Sequence, residues 1–161
     1  MTLSGKVAAR NDGGMADTVT GRRIVVGIDG SQPSRLALQW AMRQAELTGA
    51  TVDVIHAWEM PLIYGTVPVV VMPDDMEVVA ERVVADTISR VAGTDPAVRV
   101  RGRAVRGNPA AVLIEAAQDA DLLVVGSRGH GGFVGALLGS VSQHCVHHAT
   151  CPVVVVRSPH E

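Results

Sequence analysis

The chain has 161 residues and a formal charge of −2, and hydrophobic residues make up 47% of it while aromatics contribute only 2%. That length suits one domain, with a core built from Val, Ala, Leu and Ile. A near-neutral charge with scattered arginines excludes the basic surface of a nucleic-acid binder, and no run approaches the ~18 apolar residues of a membrane span.

Residues 1–21 are small, polar and aperiodic, and read as a disordered extension ahead of a domain over 22–158. They lack the apolar core of a signal peptide, so a cytoplasmic protein is expected. Ile24–Ile28 forms a first strand, ended by Asp29-Gly30-Ser31, and Pro33 suits the first turn of the helix that follows. That helix sets Leu38, Ala41, Met42 and Ala45 on one face until Gly49 stops it. Thr51–Trp58 is a second strand, on which His56 reads as a packed or hydrogen-bonded core histidine; Trp40 and Trp58 read as packing anchors.

The segment Glu59–Pro73 carries three prolines and no clean period, and reads as a long connection in which Val69–Val71 is a short strand or a packing plug. A helix resumes at Asp74 with Met76, Val79, Ala80 and Val83 on one stripe, and Gly93 ends it. In Val98–Val105, apolar residues alternate with Arg99, Arg101 and Arg103, which places this strand at a sheet edge with one wet face. Asn108-Pro109 is a cap and a first-turn proline, opening a helix with Val112, Leu113, Ala116 and Ala117 inward. The strand Leu122–Val125, a glycine loop, a helix from about Ser140 to Ala149 and the strand Pro152–Val156 complete the chain. Five strands alternating with four helices predict an α/β fold: an open, Rossmann-like parallel sheet with right-handed crossovers and helices on both faces.

Chemistry concentrates between Asp121 and Ser142. A strand empties into a loop with six glycines, and three of these are spaced as Gly126, two residues, Gly129, nine residues, Gly139, followed by Ser140. Such a loop at a helix N-terminus turns backbone N–H groups and partial positive charge toward a phosphate. Glycine lets the backbone approach closely, often with positive φ, and the Ser140 and Ser142 hydroxyls would add donors. In an open parallel sheet the ligand crevice lies where strand order reverses, so Asp29, leaving the first strand, would face this loop. Its carboxylate could accept from ribose or adenine, or help hold a divalent metal. Neither GxxxxGK[ST] nor GxGxxG is present, which excludes a P-loop and a dinucleotide fingerprint.

Over roughly Arg23 to Arg157 the chain resembles the universal stress protein family, whose ATP-binding signature is similar to Gly126, Gly129, Gly139 and Ser140 as spaced here. The Asp29–Ser31 turn and the Cys-Pro-Val-Val-Val-Val end belong to the same likeness. The resemblance implies strand order 3-2-1-4-5, a dimer, and ATP, with Mg²⁺, held in a regulatory module of stress physiology. It implies that Asp29 and the Ala57 backbone face base and ribose. Gly126, Arg128 and Gly129 would line ribose and phosphate, and Gly139, Ser140, Val141 and Ser142 would bind phosphates. Under that order the last strand is an edge, yet Val153–Val156 is apolar throughout, so a homodimer through it is expected.

No catalytic base or arginine finger is assignable, so binding is favoured over catalysis, with a slow ATP hydrolase and a nucleotide-free interaction protein as alternatives. Arg128 reads either as a ligand contact or as a solvated loop residue, and His130 as solvated. His144, Cys145, His147 and His148 suggest zinc by type, but this helix must pack an apolar face. Cys145 therefore reads as a buried small hydrophobe, and no metal site is expected.

Overall fold

In the computed structural model, residues 21–60, 73–93, 97–130 and 137–158 are described. Nearly all of the expected N-terminal extension, most of the Glu59–Pro73 connection with Val69–Val71, and the loop glycines Gly131, Gly132 and Gly135 lie outside them. The elements run β1 (Arg23–Gly27), α1 (Gln32–Thr48), β2 (Thr51–Trp58), α2 (Pro73–Ala92), β3 (Val100–Arg106), α3 (Pro109–Ala116), β4 (Leu122–Gly126), α4 (Ser140–His148) and β5 (Val153–Val156). All strand pairs are parallel, and the sheet order is β3-β2-β1-β4-β5. The expected alternation and strand order therefore stand.

Local chemistry explains the element ends. The Ser31 side chain caps α1 by accepting from the Ser34 N–H, and a proline occupies its first turn. At the other end Gly49 adopts φ 70°, a left-handed cap that returns its N–H to the Ala45 carbonyl. Asn108 caps α3 in the same way, accepting from the Ala111 N–H at 3.2 Å.

Strand periodicity divides the core in two. On one face Val26, Val52, Val54 and Val124 pack beneath Leu38, Ala41 and Met42 of α1 and Val84 of α2. On the other, Val25, Ile55, Leu123 and Val125 meet Leu113 and Ala117 near α3 and Cys145 of α4. With helices on both faces, β1 and β4 become continuous apolar runs.

The expected stripe on α2 faces inward except at Val79: Ala80 is buried, and Met76 and Val83 are half-buried. Val79 is 53% exposed, as is Val78, whereas Ala80, Val84 and Thr87 are buried, with Ile88 packed partly against the core. Within the doublet Val83-Val84, β3 makes Val84 the fully buried member. A Cβ on Gly102 would come within 2.5 Å of Val84 and 2.6 Å of Ile88, so the bare glycine is the socket for both side chains. β3 itself starts two residues later than expected; Val98 still anchors in the core, and Arg99, Arg101 and Arg103 are exposed at the edge.

Candidate functional site

Strand order reverses between β1 and β4, and there the carboxyl ends of the strands separate around a cleft of about 700 Å³. That volume falls within the range of small-molecule sites. Asp29, Ala57, Gly126, Arg128, Gly129, Gly139, Ser140, Val141 and Ser142 all line it, so the fold brings every predicted residue to one place.

One wall is built on Asp29. Its Oδ1 accepts from the Ser31 N–H at 2.9 Å, and its Oδ2 accepts from the His130 N–H at 3.1 Å across the cleft. Burial raises the carboxyl's proton affinity, but the hydrogen bonds of Ser31, Ser34 and His130 together outweigh it and hold Asp29 below the ordinary carboxylate value of 3.8. Asp29 is therefore an anion tied to both loops. His130 was expected to be merely solvated; its side chain is exposed, yet its backbone N–H joins the β4 loop to β1.

The opposite wall is the first turn of α4. Gly139 is its N-cap and supplies no side-chain hydrogen bond, unlike Ser31 and Asn108. The Gln143 N–H closes the first turn on the Gly139 carbonyl at 2.9 Å. The Ser140, Val141 and Ser142 N–H groups thus precede the first intrahelical donor, lack an acceptor within the helix, and face the cleft with the positive end of the helix.

Two expectations about this wall need correction. The Ser142 hydroxyl is buried, and its single proton is shared between the Ser127 carbonyl at 3.0 Å and the Gly139 carbonyl at 2.9 Å. It clamps the loop onto α4 and leaves only the Ser142 backbone as a donor. The second concerns φ. Among the described residues positive φ occurs at Gly30, Gly49, Gly93 and Gly107, not at the three signature glycines. Gly126 and Gly129 serve close approach instead: a Cβ would lie 2.9 Å from the Pro33 backbone at the first and 2.5 Å from Asp29 Oδ2 at the second. Gly139 differs, because its Cβ would meet nothing nearer than Arg128 Cα at 3.4 Å. Protein packing does not require glycine there.

His56 also lines the cleft, with Nδ1 2.9 Å from the Ile28 carbonyl. The sequence suggested a hydrogen-bonded histidine but gave no sign that it stood beside Ala57 in this cleft. Away from the cleft, His144, His147 and His148 are exposed on α4, and the described residues form no cluster of three or more metal-type ligands. Cys145 is fully buried; burial, followed by the nearby Cys151, pushes its thiol up to about 11, as fits an inert core residue. No helix among the described residues is long and apolar enough to cross a membrane.

A parallel α/β sheet with a glycine-lined cleft at its switch point defines a broad class of small-ligand binders. Within that class the chain belongs to the universal stress protein family, whose model matches residues 21–157. It is 37% identical over 135 residues to a universal stress protein of Mycolicibacterium smegmatis, covering 83% of this chain and 45% of that one. A universal stress protein of Mycobacterium tuberculosis is 38% identical over 138 residues, with the same coverages of 83% and 45%. The chain thus spans about half the length of these relatives. Among solved structures, a universal stress protein in complex with cAMP superposes with a TM-score of 0.63 at 27% identity, over 85% of this chain and 97% of that one.

Proposed function

We propose that this protein binds an adenine nucleotide, ATP with Mg²⁺, in the cleft between β1 and β4, and acts as a nucleotide-responsive regulatory module rather than an enzyme. The observation that carries the reading is the first turn of α4. Three backbone N–H groups lack a capping side chain there, face the cleft, and adjoin a glycine that packing alone does not demand. A phosphate supplies the missing acceptors and occupies the space that a Cβ would take. The solved relative in complex with cAMP supports an adenine nucleotide as the ligand class.

In this reading Gly139, Ser140, Val141 and Ser142 hold phosphates through the backbone, and Gly126, Arg128 and Gly129 line the ribose–phosphate. Asp29 and the Ala57 backbone face ribose and base. Asp29 is the single acidic side chain among the described lining residues, so Mg²⁺ would be held chiefly by phosphate oxygens and water. The ion would neutralise phosphate charge there. Because Asp29 is engaged by two backbone N–H groups, it suits anchoring better than proton transfer.

The domain proper is proposed as residues 22–158, working in the cytoplasm as a homodimer through β5. The four half-buried edge valines support that association. Light scattering that finds a monomer at every concentration would exclude it. Native mass spectrometry of the purified protein tests the ligand: a mass increment of one ATP per protomer is expected, and a protein that stays bare at millimolar ATP refutes the reading.

A further inference from the structure

β1 and β2 separate at one point. The Ile28 N–H closes the last rung of their ladder on the Ile55 carbonyl at 2.9 Å. In a parallel ladder the following rung would run from the Ala57 N–H to the Ile28 carbonyl. That carbonyl is engaged instead by His56 Nδ1, at 2.9 Å. A carbonyl only accepts, so Nδ1 carries the proton and donates it.

The direction of the Ala57 backbone follows from the neighbouring bonds. Along β2, Val52 donates to Arg99 and Trp58 accepts from Gly107, both on the β3 side; Thr51 donates to Arg22 and Ile55 accepts from Ile28, both on the β1 side. Ala57 shares the parity of Thr51 and Ile55. Its N–H and carbonyl therefore face the β1 side one step beyond the ladder, where Ala57 lines the cleft.

We infer that His56 is a positioning residue that sets base selectivity: by holding the Ile28 carbonyl it keeps the Ala57 N–H and carbonyl unpaired for the edge of an adenine. The inference rests on the nucleotide-binding reading above. Adenine presents the N1 acceptor beside the N6 amino donor, which matches one backbone N–H and one carbonyl. Guanine presents the reverse order, so that acceptor would meet acceptor and donor would meet donor. A site built this way rejects the wrong base because its own polar groups are left unpaired.

The test is isothermal titration with MgATP, MgGTP and tripolyphosphate, the last probing the α4 end alone. The wild-type protein should prefer ATP over GTP by roughly tenfold to a hundredfold, as for one well-formed pair of base contacts. His56→Leu returns the Ile28 carbonyl to the Ala57 N–H and adds a rung. The preference should then fall to within about threefold while tripolyphosphate affinity holds. His56→Asn keeps a donor at the Nδ1 position and should keep the preference. If the leucine variant fails to fold, His56→Gln, whose amide sits one bond further out, should lose the preference in its place. Wild-type selectivity in His56→Leu or His56→Gln, or loss of it in His56→Asn, would overturn the inference. Equal binding of ATP and GTP by the wild type would overturn it while leaving nucleotide binding intact. A wild type that binds neither nucleotide overturns the functional reading beneath it.

Discussion

Replacing Gly139 separates folding from ligand binding more cleanly than any other change. Its backbone sits at φ −74° and ψ 165°, an extended conformation open to any residue. A Cβ there would touch Arg128 Cα at 3.4 Å, the Ser127 carbonyl at 3.5 Å and the Gly129 nitrogen at 3.8 Å, which the loop absorbs with slight adjustment. Gly139→Val should therefore cost about 1 kcal/mol of stability or less, chiefly through a poorer N-cap, and lower the melting temperature by a few degrees. Binding is another matter. The valine side chain projects where a phosphate must come to reach the Ser140, Val141 and Ser142 N–H groups. Hydrogen bonds to a charged group contribute about 1.5–3 kcal/mol each, so losing two weakens binding by roughly a hundredfold or more. Thermal unfolding with and without MgATP reads both effects. At a ligand concentration of about 100 Kd the wild type gains about 2.7 kcal/mol, and the variant should gain almost nothing. A folded Gly139→Val protein with ATP affinity within threefold of wild type would refute the placement of the phosphates.

The other signature positions should respond differently. Gly126→Ala puts a Cβ 2.9 Å from the Pro33 backbone and 3.0 Å from the Ser34 nitrogen, so α1 must move away from β4. Overpacking of this kind costs about 1–3 kcal/mol, visible in urea unfolding without ligand. Ser142→Ala removes the hydroxyl proton shared by the Ser127 and Gly139 carbonyls, and should lower stability by about 1–3 kcal/mol while loosening the first turn of α4 from the end of β4. Asp29→Asn tests the sign of a titration. The folded carboxyl lies below the ordinary 3.8, so its stabilising effect is complete above that value and is lost as pH falls through the folded value. Denaturation at a series of pH values from 6 down to about 3 should show the wild type losing its advantage over the variant only at the acid end. An advantage that instead disappears between pH 5 and 6 contradicts the lowered carboxyl.

Much of this was legible in the chain because it depends on short, local patterns. Alternating strands and helices, Ser31 and Asn108 as caps, and Gly49 as a stop fix element order with little help from tertiary contacts. The cleft was legible too, because parallel topology places the β1 and β4 ends together once their order is known. What sequence could not resolve were choices settled by partners distant in the chain. The inward packing of Val84 and Ile88 on α2, rather than Val79, depends on Gly102, a residue of β3 whose missing side chain makes room for both. The Ser142 hydroxyl looked like a ligand donor because one of its acceptors, the Ser127 carbonyl, lies 15 positions away at the end of β4. His56 looked like a core residue because its partner, Ile28, lies 28 positions away.

Amide hydrogen exchange measured by NMR tests, residue by residue, whether the first turn of α4 holds the phosphates through its backbone. The Ser140, Val141 and Ser142 amides lack an intrahelical acceptor, so they should exchange quickly in the free protein. With saturating MgATP they should slow together, by roughly tenfold or more, as phosphate oxygens become their acceptors. Exchange at these three amides that stays unchanged while ATP is bound would rule out phosphate binding by the first turn of α4.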